Sequence, residues 1–313
     1  MSKKLSKRGN KRGNTSKAIY VHGDSKAKLD ELLKKKLKFR LIMTSPPYNM
    51  DREYEKSSSI DEYLKEADQV IGKLIKLLTK NGSICWQVGS YVDKRTKEVY
   101  PLDFYYYNLF KKHKLILRNR IIWHFEHGLH ASQRFSGRYE TILWFSRNGN
   151  YVFNLDDIRI RAKYPGKRHY KGEKKGQLSS NPKGKNPTDV WKVILTDWEK
   201  EVWNIPNVKA NHREKTIHPC QYPIELVERC VLAMTKKGDW VLDPFAGVGS
   251  TMLGAVRKGR NAMGIEKYQK YIKVGKDRIK KLKSGELRVR ELGTPIFKPS
   301  PNMAVAKKPD HFN

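Results

Sequence analysis

The stretch Val241-Leu242-Asp243-Pro244-Phe245-Ala246-Gly247-Val248-Gly249-Ser250-Thr251 decides the fold. An apolar run of strand type enters a turn holding two glycines and leaves it as a helix. Glycines in such a turn let the backbone approach a ligand closely, and the helix that follows offers free N–H groups. Glu266 stands at the end of the next strand-like run, Asn261 to Ile265, where a carboxylate can accept hydrogen bonds from both hydroxyls of a ribose. The glycines do not follow the G-x-G-x-x-G spacing of a pyrophosphate cradle, which argues against a nicotinamide dehydrogenase. The pattern suits a nucleoside with a short charged tail better than a dinucleotide. A tight turn followed by an ordinary surface glutamate would look the same, so the segment speaks for function only together with others.

Outward from this segment, strands and helices alternate. Pro223 opens a helix through Leu226, Val227 and Val231, and a basic helix runs from about Gln269 to Leu282. In the first half, Ala18 to Val21 reads as a strand and Ser25 to Lys36 as a helix with Leu29, Leu32 and Leu33 on one face. Leu41-Ile42-Met43 is a second strand. Ser59 and Glu62 form a capping-box pattern opening a helix that Asn81-Gly82 ends, and Ser83 to Val88 is another strand. Further elements fall at Leu102 to Phe110, Ile116 to Trp123 and Thr141 to Phe145. This grammar predicts an α/β fold with a mostly parallel sheet and helices on both faces. It lapses from 148 to 211, where Lys, Gly, Pro, Asn and Trp replace periodicity. The expected division is a disordered basic arm at 1–17, one half of an α/β domain at 18–147, an inserted irregular region at 148–211, the other half at 212–285 and an irregular tail at 286–313.

A second informative segment, Thr44-Ser45-Pro46-Pro47-Tyr48-Asn49, ends the strand Leu41 to Met43. Two prolines fix the carbonyl directions and remove competing N–H groups. Ser45 adds a hydroxyl and Tyr48 an aromatic face. The result is a rigid platform for a flat polar group, although a Pro-Pro pair can also merely end a strand.

Taken together, SPPY and DPFAGVGST resemble the amino-methyltransferases of DNA, which modify cytosine at N4 or adenine at N6. The resemblance spans about residues 19 to 285, and the order of the motifs is similar to the permuted beta class found in type II restriction–modification systems. It implies a Rossmann-like S-adenosylmethionine-dependent methyltransferase fold. It implies that Ser45, Pro46, Pro47 and Tyr48 are catalytic: the Ser45 side chain and Pro46 carbonyl accept from the target amino group, while Tyr48 stacks on a base flipped out of the duplex. It also implies that Asp243, Phe245, Gly247, Gly249, Ser250 and Glu266 bind S-adenosylmethionine. Ile19 to Asp24 resembles the family's third motif, whose acidic residue, here Asp24, reaches the cofactor adenine. Lys215 to Pro223 resembles the segment lining the methionine end, with Lys215 and His218 as its candidates. Arg134 to Glu140 resembles the stretch before the target-recognition region. Family members with Thr-Ser-Pro-Pro-Tyr are mostly cytosine enzymes, so cytosine N4 is expected, with adenine N6 open because a serine or an aspartate side chain can each accept a hydrogen bond. An RNA methyltransferase or a non-catalytic DNA-binding protein is the more distant reading.

Composition agrees with a polyanionic partner. The 313 residues carry a formal net charge of +33. Phosphate neutralisation by Lys and Arg releases condensed counterions, which favours binding to double-stranded DNA. The run from Arg161 through Lys163, Lys167, Arg168, Lys171, Lys174 and Lys175, interleaved with Tyr164 and Tyr170, is the candidate DNA-binding surface; a solvated loop is its plain alternative. Cys85, Cys220 and Cys230 show no zinc spacing and no disulfide framework, and read as reduced, buried thiols. No metal is expected. No secretory signal or bilayer-spanning run is legible, so a cytoplasmic protein is expected; the family resemblance implies a bacterial, archaeal or phage source and leaves a cognate restriction endonuclease open as a partner.

Overall fold

A computed structural model describes residues 16–49, 58–93, 95–125, 130–191, 208 and 212–290. Residues 1–15 of the basic arm and 291–313 of the tail lie outside the described residues. The first half comprises β1 (Ala18–His22), α1 (Ser25–Lys34), β2 (Phe39–Thr44), α2 (Ile60–Leu77), β3 (Leu78–Val88), β4 (Ser90–Val92), β5 (Val99–Pro101), α3 (Leu102–Lys112), β6 (Ile116–His124) and β7 (Tyr139–Ser146). After the irregular region come β8 (Val190–Trp191), α4 (Ile224–Met234), β9 (Trp240–Asp243), α5 (Ser250–Arg257), β10 (Asn261–Glu266) and α6 (Gln269–Ser284).

Eight strands form one sheet in the order β1-β10-β9-β2-β3-β7-β6-β8. Every neighbouring pair is parallel except those made by β7, which runs against both β3 and β6. The two halves of the chain therefore interleave: β9 lies beside β2, and β10 beside β1.

Alternation along the buried strands splits the core into two layers, because successive side chains point to opposite faces. Ile42, Ile84, Leu143, Phe145 and Leu242 pack beneath α1, α2 and α3, while Leu41, Met43, Cys85, Ile142 and Val241 pack beneath α4 and α5. On α2 the buried side chains Ala67, Val70, Ile71, Leu74 and Leu77 recur at helical spacing. Each fully buried aliphatic side chain of this kind contributes about 1.5–3 kcal/mol. The capping box at Ser59 and Glu62 is present in both directions.

Helix α2 ends sooner than the Asn81-Gly82 signal suggests. It stops at Leu77, and Leu78 already pairs with Phe39 of β2 before an irregularity resets the register to Leu41 against Ser83. Gly82 serves this irregularity rather than a helix end: a Cβ there would stand 2.8 Å from the Arg40 carbonyl oxygen.

The region from 148 to 191 is irregular apart from a short 3-10 turn (Leu155–Asp157) and β8. It is anchored nonetheless. The Asn154 side chain donates to the carbonyls of Leu232 and Thr235 at the end of α4, and Ile158, Ile160 and Trp191 are buried in the layer beneath α4. The stretch following α6 is tied down too. The Arg290 backbone N–H donates to Glu214, and its guanidinium pairs with buried Glu225 at 2.6 Å. Cys85 and Cys230 are buried, but Cys220 is exposed, contrary to the sequence reading. It sits in the loop before α4, outside the layer that takes the α4 side chains, so its apolar type does not draw it inward. No described helix is long and apolar enough to cross a membrane.

Candidate active site

The ends of β1, β10, β9, β2 and β3 converge on a cavity of about 970 Å³. This is where open parallel sheets place their ligands. Ser45, Pro46, Pro47 and Tyr48 line it, as do Asp24, Lys215, His218, Phe245, Gly247, Ser250 and Glu266. Of the residues expected to bind the cofactor, Asp243 and Gly249 are the two that do not line it.

Asp243 lies below the floor. Its carboxylate accepts from Thr44 Oγ1 at 2.7 Å, from the Phe245 N–H at 3.0 Å and from the Tyr222 hydroxyl at 2.9 Å. Burial pushes this carboxyl up, and the three donors act against that. Asp243 therefore fastens the glycine turn to the end of β2. Gly249 caps α5 in the left-handed region, with φ of 83°. A Cβ there would stand 2.4 Å from the Tyr20 phenol oxygen, which fills the space between Gly249 and Gly275 and donates to the Gly247 carbonyl. Arg278 of α6 donates to the Val248 carbonyl at 2.8 Å. The outward carbonyls of the turn are thus held from behind, and its front is left to a ligand.

On the front, Gly247 has φ of 50°, and a Cβ there would meet His218 Nε2 at 3.1 Å. His218 Nδ1 accepts from the Cys220 backbone N–H, so the neutral ring carries its proton on Nε2, the atom facing Gly247. Glu266 accepts from the Gly247 N–H through Oε2 and from the Tyr268 N–H through Oε1. Each oxygen keeps a lone pair, and burial raises the carboxyl's pKa. Asp24 caps α1 through Oδ1, accepting from the Lys26 and Ala27 N–H groups. Ser250, the first residue of α5, has a buried hydroxyl with no partner among the described residues. A cradle that only glycine permits, a carboxylate fixed by two backbone donors and an unpartnered hydroxyl at a helix start fit a nucleoside with a charged tail.

At the other end of the cavity the Ser45-to-Asn49 loop is locked in place. Asn49 adopts the left-handed region, and its side-chain amide exchanges two hydrogen bonds with the Ser58 backbone at 2.8 Å. The Tyr63 hydroxyl donates to the Pro47 carbonyl at 2.7 Å and is itself 2.7 Å from the Tyr106 hydroxyl. Ser45 Oγ is 2.9 Å from the Tyr48 hydroxyl, which reaches the Gln87 carbonyl at 3.4 Å. The Gln87 side chain donates to Glu140 across β3 and β7. A Cβ on Gly89 would touch both Glu140 and Tyr48, so this glycine lets them close up.

A family model for DNA methylases of the N6/N4 type matches residues 39–277. The chain belongs to that family. It is 44% identical over 234 residues to the type II methyltransferase M.BglII of Bacillus subtilis, covering 75% of this chain and 61% of that one. It is 30% identical to the DNA adenine methyltransferase YhdJ of Escherichia coli (strain K12), over 85% of this chain and 84% of that one. Among solved structures, TTHA0409 of Thermus thermophilus complexed with S-adenosyl-L-methionine superposes with a TM-score of 0.54 at 25% identity, covering 87% of this chain and 96% of that one. The sheet is that of the S-adenosylmethionine-dependent methyltransferases, as the motifs implied.

The rim of the methylase cavity carries groups that composition alone did not single out. Phe135 lines the mouth with its side chain wholly exposed (101%), beside Arg134 and half-exposed Tyr139. Arg161, Lys163, Lys167, Arg168, Lys171, Lys174 and Lys175 are all exposed, and none lines the cavity. Part of this run forms a small hairpin. Arg168 bridges Leu178, the His169 N–H donates to the Gln177 carbonyl, the Gly176 N–H donates to the His169 carbonyl, and Gly172 takes a positive φ, so Lys171, Lys174 and Lys175 sit around its tip. Gln87, Tyr63 and Arg278 escaped the sequence reading, and Tyr20 and Glu140 fell within motifs that it singled out without giving either a role. They act through partners far away in the chain, and no local spacing marks them.

Proposed function

We propose that the chain methylates the exocyclic amino group of a base flipped out of double-stranded DNA, at a specific site and with cytosine N4 as the first choice. The observation carrying this reading is that Ser45 and Tyr48 share one cavity with Gly247, Ser250 and Glu266. The nucleoside of the cofactor is assigned to the Asp24, Gly247 and Glu266 end, its charged tail to the Lys215, His218 and Ser250 wall, and Phe245 to packing against it. Bound S-adenosylmethionine supplies a methyl on a sulfonium sulfur, whose C–S bond breaks as the new N–C bond forms.

The chain's own residues address the weakness of the nucleophile. An exocyclic amino nitrogen shares its lone pair with the ring. Acceptors at both N–H groups restore that pair to nitrogen, and Ser45 Oγ and the Pro46 carbonyl are assigned this task. The methylated nitrogen sheds one amino proton to solvent, since Ser45 Oγ and the Pro46 carbonyl are hydrogen-bond acceptors and not bases. Tyr48 stacks on the base, and the loop locked by Asn49 and Tyr63 fixes the geometry, so much of the rate gain is orientation. At the mouth, Phe135 is placed to fill the gap left in the duplex, as apolar wedges do in other DNA-distorting proteins. The exposed Lys and Arg residues from 161 to 175 are assigned to phosphates.

Ser45 supports cytosine N4. The likeness to YhdJ, whose name specifies adenine, supports adenine N6 as the second reading. The likeness to M.BglII, named a type II methyltransferase, supports a modification role beside an endonuclease cutting the same site. Incubation of PCR-amplified bacterial DNA with deuterated-methyl S-adenosylmethionine, followed by nucleoside mass spectrometry, tests the reading. Labelled 4-methylcytosine is expected. Labelled 6-methyladenine moves the assignment to the second reading, and label in neither, with cofactor bound, directs the search to RNA.

A further inference from the structure

A serine hydroxyl carries one donor and two acceptor sites, and nothing in its type says which one it turns toward a substrate. In this site the choice decides the reaction. Accepting from the target amino group frees the nitrogen's lone pair, whereas donating to that nitrogen occupies it. The surroundings of Ser45 offer a way to set the direction. Its Oγ is 2.9 Å from the Tyr48 hydroxyl, and the Tyr48 hydroxyl is 3.4 Å from the backbone carbonyl oxygen of Gln87. A carbonyl only accepts. With the Tyr48 proton given to Gln87, the Tyr48 oxygen can take the proton of Ser45, which leaves the lone pairs of Ser45 Oγ to the cavity.

The far end of this chain of bonds is firmly seated. Gln87 is buried in β3, and its side chain is tied to Glu140 of β7. Gly89 packs beside the Tyr48 ring, where a Cβ would lie in ordinary contact, 3.4 Å from Tyr48 Cε2. We propose that the Tyr48 hydroxyl, through the Gln87 carbonyl, is a positioning group that holds Ser45 as a hydrogen-bond acceptor for the target amine. This gives Tyr48 a task separate from stacking, which needs only its ring. It also explains how a serine can serve where a carboxylate would accept without help. The proposal rests on the amino-methyltransferase reading above.

A mutant cycle in single-turnover methyl transfer to PCR-amplified bacterial DNA, with tritiated S-adenosylmethionine, tests it. Tyr48→Phe keeps the ring and is expected to slow transfer about three- to tenfold, with cofactor affinity unchanged. In the Ser45→Ala and Ser45→Asp backgrounds the same change is expected to cost less than about twofold, because no hydroxyl remains to be oriented. An equal cost in all three backgrounds overturns the proposal, as does a cost below about twofold in the wild-type background. Where the Ser45 variants are too slow to follow, the split between kcat and KM decides. A loss confined to kcat supports the relay, and a loss confined to KM for DNA overturns it. If the wild-type protein labels no amino base, the functional reading fails before any variant is compared.

Discussion

The Thr44 hydroxyl donates to the Asp243 carboxylate at 2.7 Å, joining the residue just before Ser45 to the residue that opens the glycine turn. The two motifs stand 199 positions apart in the chain yet are one hydrogen bond apart in space. The bond is buried, so losing it leaves a carboxylate oxygen without its hydroxyl donor. Thr44→Val, close in shape, is expected to cost about 1–3 kcal/mol of stability. Thr44→Ser keeps the donor and should recover most of that, which thermal unfolding of both variants would check.

Gly249 and Tyr20 make a second buried contact that can be tested by substitution. The Gly249→Ala change forces a left-handed alanine and sets a Cβ 2.4 Å from the Tyr20 oxygen. The backbone penalty alone is about 1–2 kcal/mol, and the clash adds to it. Combining it with Tyr20→Phe removes the clashing oxygen. The double variant is expected to be more stable than Gly249→Ala alone, even though Tyr20→Phe gives up the bond to the Gly247 carbonyl. Additive losses in chemical unfolding would contradict that account.

These contacts show what the sequence can and cannot display. The glycine turn, the strand ends and the capping box at Ser59 and Glu62 are written in neighbouring letters, because turns and caps are made by residues a few positions apart. The Gln87–Glu140 pair is not, since its partners meet only when β7 inserts antiparallel between β3 and β6. Asp243 looks like a ligand residue in the motif, but the fold turns it inward to hold Thr44 and Tyr222. The end of α2 at Leu77 was hidden because Asn81-Gly82 signals a break equally well inside a strand irregularity as after a helix.

Glu225 predicts a pH dependence. Burial pushes its carboxyl up to about 7, with Arg290 opposing the shift. A carboxyl raised in the folded state binds its proton more tightly there than in the unfolded chain. Its contribution to stability is thus full below the unfolded value and fades as pH rises through about 7. The melting temperature of the wild-type protein should fall between about pH 5 and pH 8 more steeply than that of Glu225→Gln. Parallel curves for the two proteins would show that Glu225 does not titrate in this window.

Glu266 should separate cofactor binding from catalysis. Its carboxylate is oriented by the Gly247 and Tyr268 N–H groups and lines the cavity. Glu266→Gln replaces one acceptor oxygen by a donor, leaving a ribose hydroxyl poorly matched. Calorimetric titration with S-adenosylmethionine is expected to show affinity weakened by roughly tenfold or more. At saturating cofactor, kcat should stay within about threefold of wild type. A large fall in kcat with unchanged affinity would move Glu266 from the cofactor to the reacting base.

Phe135 offers a test of how the base leaves the duplex. The side chain is wholly exposed at the mouth of the cavity, where it adds nothing to the core. An exposed phenylalanine removed by Phe135→Ala should leave the melting temperature unchanged within the roughly 0.5 kcal/mol typical of surface substitutions. If the ring fills the space vacated by the flipped base, the variant should lose activity on fully paired DNA. It should regain much of that activity on heteroduplex DNA made by annealing two diverged amplicons, where mispaired bases cost less to unstack. The same loss on paired and mispaired DNA would place Phe135 in ordinary surface contact with the duplex, and no loss on either would leave flipping to the pocket alone.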